Sequence, residues 1–369
     1  MTEGTSDLPS NVPKERPTAL AQPPETLTGL RRGSVSRVAV GIPAILATFR
    51  HAWGEAGIVR GSKALLKLNQ KDGFDCMSCA WPDEDGHRSL APFCENGAKA
   101  VADETTTKRL EPELFARHSV AELSRRSDYE LNALGRLTHP MVLREGASHY
   151  APIPWEDAFA LIGRELNALA SPKEAIFYTS GKVSNEAAFL FQLFARQYGT
   201  NNLPDCSNMC HESSGVALTT TLGLGKGTVT LEDFSLADVI VIIGQNPGTN
   251  HPRMLTSLQT AKRKGARIIS INPLPEAGLL RYRNPQEVLN TLGEGTKLTD
   301  LFLPVKINGD TALLKGIIGE LLLLEEAKPG AVLDHSFIEA HTEGFDAFLN
   351  AARRVDWDVV VRESGIARG

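Results

Sequence analysis

The middle of the chain, about residues 172–290, predicts an α/β fold of the Rossmann-like parallel-sheet kind, and three observations carry that prediction. Two apolar runs, ADVIVIIG at 237–244 and ARIISINP at 266–273, have the length and content of buried strands. Between them, HPRMLTSLQTAKRKG at 251–265 has helical spacing, ends at Gly265 and puts basic residues in its last turn, next to the negative end of the helix dipole. Upstream, the strand-like AIFYTS is followed by the helical NEAAFLFQLFARQYG. Strand, helix and strand at this spacing imply a right-handed crossover and parallel strands.

The remaining elements follow in order. Residues 1–36 read as a disordered arm, because their Pro, Thr, Ser and Glu content offers little to bury. Residues 37–115 form a region of helix and cysteine loop. Apolar residues at mixed three and four spacing predict helix over 38–68, in GIPAILATFRHAWGEAG and SKALLKLNQ. The stretch 72–100, dense in Cys, Gly, Pro and Asp, predicts a functional or metal-organised loop. Residues 116–369 form the α/β region. Helices are expected near 118–134, over WEDAFALIGRELNAL at 155–169, from the Cys210 stretch, over DTALLKGIIGELLLLEEA from Asp310 and over DHSFIEAHTEGFDAFL. No internal repeat is visible.

With 369 residues the chain has material for two or three domains, and 42% hydrophobic with 22% charged residues is the balance of a globular protein with a large core. A net charge of −5 argues against a nucleic-acid or anionic-membrane partner. Five unevenly spaced cysteines make a poor disulfide framework and point to a reducing compartment. No apolar run of about 18 residues predicts a membrane span. The paired arginines of RRGSVSRVAVGIPAILATF precede an apolar run, but Arg37 and Pro43 interrupt it and no small-residue cleavage site stands out. The expected location is cytoplasmic.

The strand ends carry the first candidate site. Open α/β sheets bind ligands at the carboxyl ends of parallel strands. There the chain reads VIVIIGQNPGTNHP and RIISINPLPEAG. Gly244 and Gly248 allow close backbone approach, and Gln245, Asn246, Asn250 and Asn272 offer amides suited to a base or ribose. A helix beginning near His251 would favour a phosphate. No G-x-G-x-x-G stands here, so NAD binding is unsupported. The same residues also suit an ordinary strand–loop–helix turn.

The cysteines carry the second. Cys76 and Cys79 form a C-x2-C pair, and Cys94 lies 15 residues after Cys79. Soft ligands at this spacing suit zinc or an iron–sulfur cluster, or a reduced thiol pair with no metal. Asp83 and His87 are candidates for a further ligand. Cys210 and His211 adjoin, but neighbours on a helix point about 100° apart and do not face each other. The pair fits a metal-bound thiolate with a proton-moving histidine, or a buried thiol beside a surface histidine.

Together, DGFDCMSCAWPD, FCENGAKA, GRLTHPMVLREG, WEDAFALI, SGKVSNEAAFLFQLFARQYGTNN, DCSNMCHESS, VIVIIGQNPGTNHPRM, RIISINP and NGDTALL resemble the formate-dehydrogenase-like molybdopterin oxidoreductases of the FdhF/YdeP type, in the DMSO reductase superfamily. The resemblance runs from about residue 50 to the last residue. It implies molybdenum held by two molybdopterin guanine dinucleotides (Mo-bis-MGD), with a [4Fe–4S] cluster beside it. By the same resemblance Cys76, Cys79 and Cys94 are cluster ligands, and Cys210 is the ligand to molybdenum. His211 takes part in proton movement. Ser180, Lys182, Asn185, Gly244, Gln245, Asn246, Asn250, His251 and Asn272 fall in the cofactor-binding stretches. The partners implied are a small-molecule substrate such as formate and an external electron acceptor.

The chain departs from the family pattern in three ways. The usual third cysteine of the cluster motif, four positions after the second, is Asp83. A lysine expected two positions after the distal cysteine is Asn96. Family members run to roughly twice this length, so the chain reads as an N-terminal portion. An accessory protein that binds the cofactor without turnover is therefore the alternative expectation.

Overall fold

The computed structural model describes residues 34–79, 81–83, 86, 88–204 and 211–368. The principal helices, in chain order, are α1 (Ile42–Lys67), α2 (Glu95–Glu104), α3 (Trp155–Asn167), α4 (Asn185–Tyr198), α5 (Glu212–Leu222), α6 (Met254–Arg263), α7 (Asp310–Ala327) and α8 (Trp357–Ser364). The principal strands are β1 (Val239–Ile243), β2 (Arg267–Ile271) and β3 (Leu301–Leu303). The fold is mixed α/β. It divides into two compact units, one built on Glu55–Gly61 and Ala102–Lys226, the other on Val35–Gly54, Ser62–Val101 and Gly227–Gly369. Contacts in space thus place the cysteine loop and the sheet in the same unit, although more than a hundred residues separate them in sequence.

In that second unit β1, β2 and β3 make a three-stranded parallel sheet in the order β3-β2-β1. The β1–α6–β2 crossover expected from the sequence is present. Leu255 and Leu258 of α6 are fully buried against Ile268 of β2, with Leu279 and Leu298 completing the core. Each such side chain contributes roughly 1.5–3 kcal/mol by leaving water. The helix starts at Met254, later than the sequence implies; a separate helical turn, Pro247–Asn250, precedes it, and Pro252 disfavours helical backbone at His251.

One expectation is corrected in β1. Its run VIVII predicts a strand buried on both faces, yet Val239, Val241 and Ile243 are exposed at 53%, 50% and 40%. β1 is an edge strand, and α6 covers only the face that carries Ile242. An unbroken apolar run cannot tell one covered face from two.

A second core lies around the cysteine loop, where Ala52, Leu65 and Leu68 pack on Ala98 and Val101 of α2. Farther on, two glycines of α7 meet α8 and the residues just before it. A Cβ on Gly316 would stand 2.7 Å from Val360 Cγ1, and one on Gly319 would stand 2.5 Å from Val355 Cγ2. At the end of α7 the carboxylate of Glu325 accepts the N–H groups of Gly330, Val332 and Leu333, the latter two at 2.9 and 3.0 Å, and meets His335 Nε2 at 2.7 Å. The single helical stretch expected over 334–349 is two helices, His335–His341 and Phe345–Ala352, broken before Gly344, whose φ is 74°.

In the first unit the helices near 118–134 are two short ones, Val120–Ser124 and Asp128–Asn132. Each has a complete capping box, Ser119 with Glu122 and Ser127 with Glu130, which satisfies the first free N–H groups of so short a helix. The strand expected at AIFYTS is also corrected. Residues 175–180 join no ladder among the described residues. Phe177 gives its N–H to Asn202 at 2.9 Å and packs its ring against Phe191, Phe194 and Tyr198. The alternation that reads as a strand here buries one face on α4.

Candidate functional site

The cysteine loop begins where α1 ends. Asn69 there is 1% exposed and holds φ at 57°, a left-handed conformation that asparagine tolerates better than most residues. Its side chain fastens both flanks of the loop: Oδ1 accepts the Cys76 N–H at 2.8 Å and Nδ2 donates to the Pro92 carbonyl at 2.8 Å. Its own carbonyl accepts from Arg88 at 2.6 Å. Gln70 adds a bond to the Ser89 carbonyl at 3.0 Å.

This framework brings sulfur from both flanks together at the first turn of α2. A Cβ on Gly97 would stand 2.8 Å from Cys76 Sγ, closer than packing allows without a shift, and 3.9 Å from Cys94 Sγ. Each sulfur receives a backbone N–H, from Ser78 to Cys76 and from Gly97 to Cys94, both at 3.4 Å. Cys76, Cys79 and Cys94 are free thiols. Burial pushes the Cys94 thiol up, the Gly97 N–H opposes it, and the neighbouring Cys76 and Cys79 add to the rise. A bare Cys94 therefore stays protonated at neutral pH, and a bound cation would be needed to draw off its proton. Among the described residues, no three histidine, cysteine or carboxylate groups stand close enough to share one metal ion.

Asp83, at the third-cysteine position, faces two guanidinium groups. One oxygen is bonded to Arg253, the other lies 3.8 Å from Arg88. Arg253 also donates to the Trp81 carbonyl at 3.2 Å, and the Trp81 ring meets Phe234 edge-on at 5.3 Å. Asn96, at the expected lysine position, donates to the Thr249 carbonyl at 3.0 Å. His87 lies outside the described residues.

These contacts enclose a cavity of about 390 Å³ whose walls include Trp81, Asp83, Arg88, Cys94, Asn246, Gly248, Arg253 and Tyr282. Burial pushes the Tyr282 hydroxyl up to about 12, against its bond with Thr256 Oγ1 at 3.1 Å, so it stays a neutral hydrogen-bonding group. Asn246 Oδ1 is buried at this wall with no partner in the protein. Gly248 and Gly278 touch backbone to backbone: a Cβ on Gly278 would lie 2.5 Å from Gly248 N.

The predicted crevice residues cluster at the ends of β1 and β2, where several spend their polar groups on one another. Gly244 has φ 62° and bonds its N–H to Ile271 at 3.0 Å. Gln245 Nε2 meets His251 Nδ1 at 3.0 Å. Asn272 donates to the Gln245 carbonyl at 3.3 Å and accepts from Leu274 N–H at 3.0 Å. Asn250 is exposed, its N–H bonded to Asn246.

In the other unit, Ser180 opens a turn in which its hydroxyl accepts the Lys182 N–H at 3.1 Å. Asn185 begins α4. His211 is the exposed residue preceding α5, its carbonyl bonded to Gly215 N–H at 2.8 Å. Cys210 and Cys206 lie outside the described residues.

Comparison with known proteins supplies the family. Residues 136–286 match the molybdopterin oxidoreductase family. An uncharacterized oxidoreductase of Mycobacterium tuberculosis (strain H37Rv) is 54% identical over 330 residues, covering 89% of this chain and 42% of that protein. Protein YdeP of Escherichia coli K12 is 46% identical over 310 residues, covering 83% of this chain and 41% of its own length. The chain belongs to the molybdopterin oxidoreductases, FdhF/YdeP type. More distantly, the F420-dependent formate dehydrogenase 2 subunit alpha of Methanococcus maripaludis is 28% identical over 284 residues, covering 75% of this chain and 38% of that subunit. The chain thus spans about two fifths of the length of the curated relatives it matches. Membership implies a molybdenum–pterin cofactor. No helix among the described residues is long and apolar enough to cross a membrane.

Sequence reading missed Asn69, Arg88 and Arg253 as builders of this site. Arg253 was legible only as part of NHPRM, and nothing local marks Asn69 as more than a turn residue.

Proposed function

We propose that this protein is a cytoplasmic, molybdenum-dependent oxidoreductase of formate dehydrogenase type, taking two electrons from formate or a similarly small substrate and handing them to an external acceptor. The observation that carries this reading is the meeting of Cys76 and Cys94 sulfurs over Gly97, each beneath a backbone N–H. When bound, the bis-molybdopterin guanine dinucleotide form of molybdenum supplies the two-electron chemistry and a [4Fe–4S] cluster the one-electron steps.

The chain's own residues fit these groups. Cys76, Cys79 and Cys94 would hold the cluster. The C-x2-C pair together with Cys94 suits a cluster, which gives each iron its own thiolate. The N–H donors of Ser78 and Gly97 would stabilise sulfur that carries negative charge and so would tune the potential of a bound cluster. Cys210 would hold molybdenum, and His211 would accept or return the proton that leaves substrate. Arg88 and Arg253 place guanidinium groups at the cavity wall, facing Asp83 there, and the unpartnered Asn246 Oδ1 offers an acceptor to a ligand N–H. Ser180, Lys182, Asn185, Gly244, Gln245, Asn250, His251 and Asn272 would line the dinucleotide sites.

Metal analysis of anaerobically purified protein tests the reading. Iron together with molybdenum is expected. Iron without molybdenum would reassign the chain as an accessory cofactor-binding protein, and zinc alone would overturn the reading. Cys210→Ser is expected to abolish formate-linked dye reduction while iron content stays unchanged.

A further inference from the structure

Asp83 sits where a fourth cluster ligand could be sought, yet its carboxylate is committed elsewhere. One oxygen is bonded to Arg253 and the other faces Arg88 at 3.8 Å. All three side chains are largely buried, with exposures of 15–19%. A carboxylate that turned from this position to iron would take from the largely buried Arg253 guanidinium the carboxylate it pairs with, which a protein interior penalises heavily. Arg253 also grips the Trp81 carbonyl at 3.2 Å. It stands immediately before α6, the helix that packs on the sheet. The Trp81 ring meets Phe234 and His251, at 5.3 and 6.2 Å.

We infer that Asp83 is a positioning residue and not a cluster ligand: through Arg253 it fastens the Trp81–Asp83 segment, two residues beyond Cys79, to the start of α6. The thiolates supplied by this loop are then Cys76, Cys79 and Cys94, with the aspartate that replaces the third motif cysteine acting as a clamp. This rests on the reading of the loop as an iron–sulfur site. It adds that the loop is held to the strand-end crevice by charge.

The test compares Asp83→Asn, Arg253→Gln and the double variant in the full chain, purified anaerobically and supplied with iron and sulfide. Iron content, the electron paramagnetic resonance spectrum of the reduced protein, its midpoint potential and amide hydrogen exchange over residues 76–83 are measured. Wild-type iron content and line shape are expected in all three. Exchange over 76–83 should accelerate in each single variant, with little further gain in the double. Removing one charge of the pair leaves the other beside the cluster, so the potential should rise in Asp83→Asn, fall in Arg253→Gln and return towards wild type in the double. Loss of iron or a changed line shape in Asp83→Asn, with Arg253→Gln unaffected, would make Asp83 a ligand and overturn the inference. Should both single variants fail to fold, Asp83→Glu serves, since a clamp keeps its line shape with a lengthened carboxylate and a ligand does not. A wild-type chain that takes up no iron would sink the cluster reading itself, a result separable from the others.

Discussion

Two segments bordering the same cavity are held in different ways. Among the described residues between Asp75 and Pro92 there is neither helix nor strand, and side chains bonded to backbone fasten them: Asn69 to Cys76 and Pro92, Gln70 to Ser89, Arg88 to Asn69, and Gln286 to Ala91 at 2.8 Å. From Gly244 to His251 the backbone holds itself, with Gly244 bonded to Ile271, Asn250 to Asn246 and His251 to Pro247. There, close contact between Gly248 and Gly278 adds to these backbone bonds, with Asn272 and Asn96 donating to the Gln245 and Thr249 carbonyls. A segment held by side chains is broken by removing atoms. One held by backbone contact is broken by adding them.

Adding an atom should do the most damage. Gly278→Ala places a methyl 2.5 Å from Gly248 N and 2.6 Å from its Cα, and neither can move without the turn. A loss of at least about 4 kcal/mol is expected by denaturant unfolding. A stability within about 1 kcal/mol of wild type would show that the turn yields and would erase the contrast.

Removing an anchor comes next. Asn69→Ala strands the Cys76 N–H and the Pro92 carbonyl and puts alanine at a positive φ, a combined cost of about 3 kcal/mol. Iron uptake by the loop should fall with it, while the β1–α6–β2 core keeps its far-ultraviolet circular dichroism. Undiminished iron uptake would mean that the loop does not depend on this anchor.

Glu325 sharpens the comparison at a third place, where one carboxylate gathers a whole loop. Bonds from Gly330, then His335, Leu333 and Val332, hold it down at about 2. A folded-state value below the ordinary 4.5 means the stabilisation is complete above about pH 4.5 and is lost as pH falls towards 2. Glu325→Gln should remove that acid-dependent decline, as read from hydrogen exchange over residues 328–335 between pH 5 and 2, a window set by these two values. The same slope in both proteins would detach the effect from Glu325.

The smallest effect is expected at the surface. Arg263 and Glu287 pair at 2.6 Å, but both are more than a third exposed, and water screens them. Arg263→Met should cost at most about 0.5 kcal/mol in thermal unfolding.

How much of this was legible in the sequence depended on the range of the forces involved. The β1–α6–β2 unit could be read because period and punctuation are local, and α7 likewise. The two apolar readings that failed, at 175–180 and on the outer face of β1, failed because alternation and apolar runs record that a face is buried without recording what buries it. The short capped helices could have been bounded more closely from Ser119-x-x-Glu122 and Ser127-x-x-Glu130, signals present in the chain and unused. The cysteines could be grouped by spacing and composition. Their support could not, because the Asp83–Arg253 pair joins residues 170 positions apart and Asn69 carries no motif.

Asn69 also bears on how a metal would arrive. Many small metal-binding modules are shapeless until the ion organises them, and chelation unravels them. Here the chain at Cys76 and at Pro92, two residues before Cys94, is tied to the end of α1 by hydrogen bonds of the Asn69 side chain that involve no sulfur. The course of the loop and the chemistry of its thiols therefore rest on different atoms, and each can be altered without touching the other.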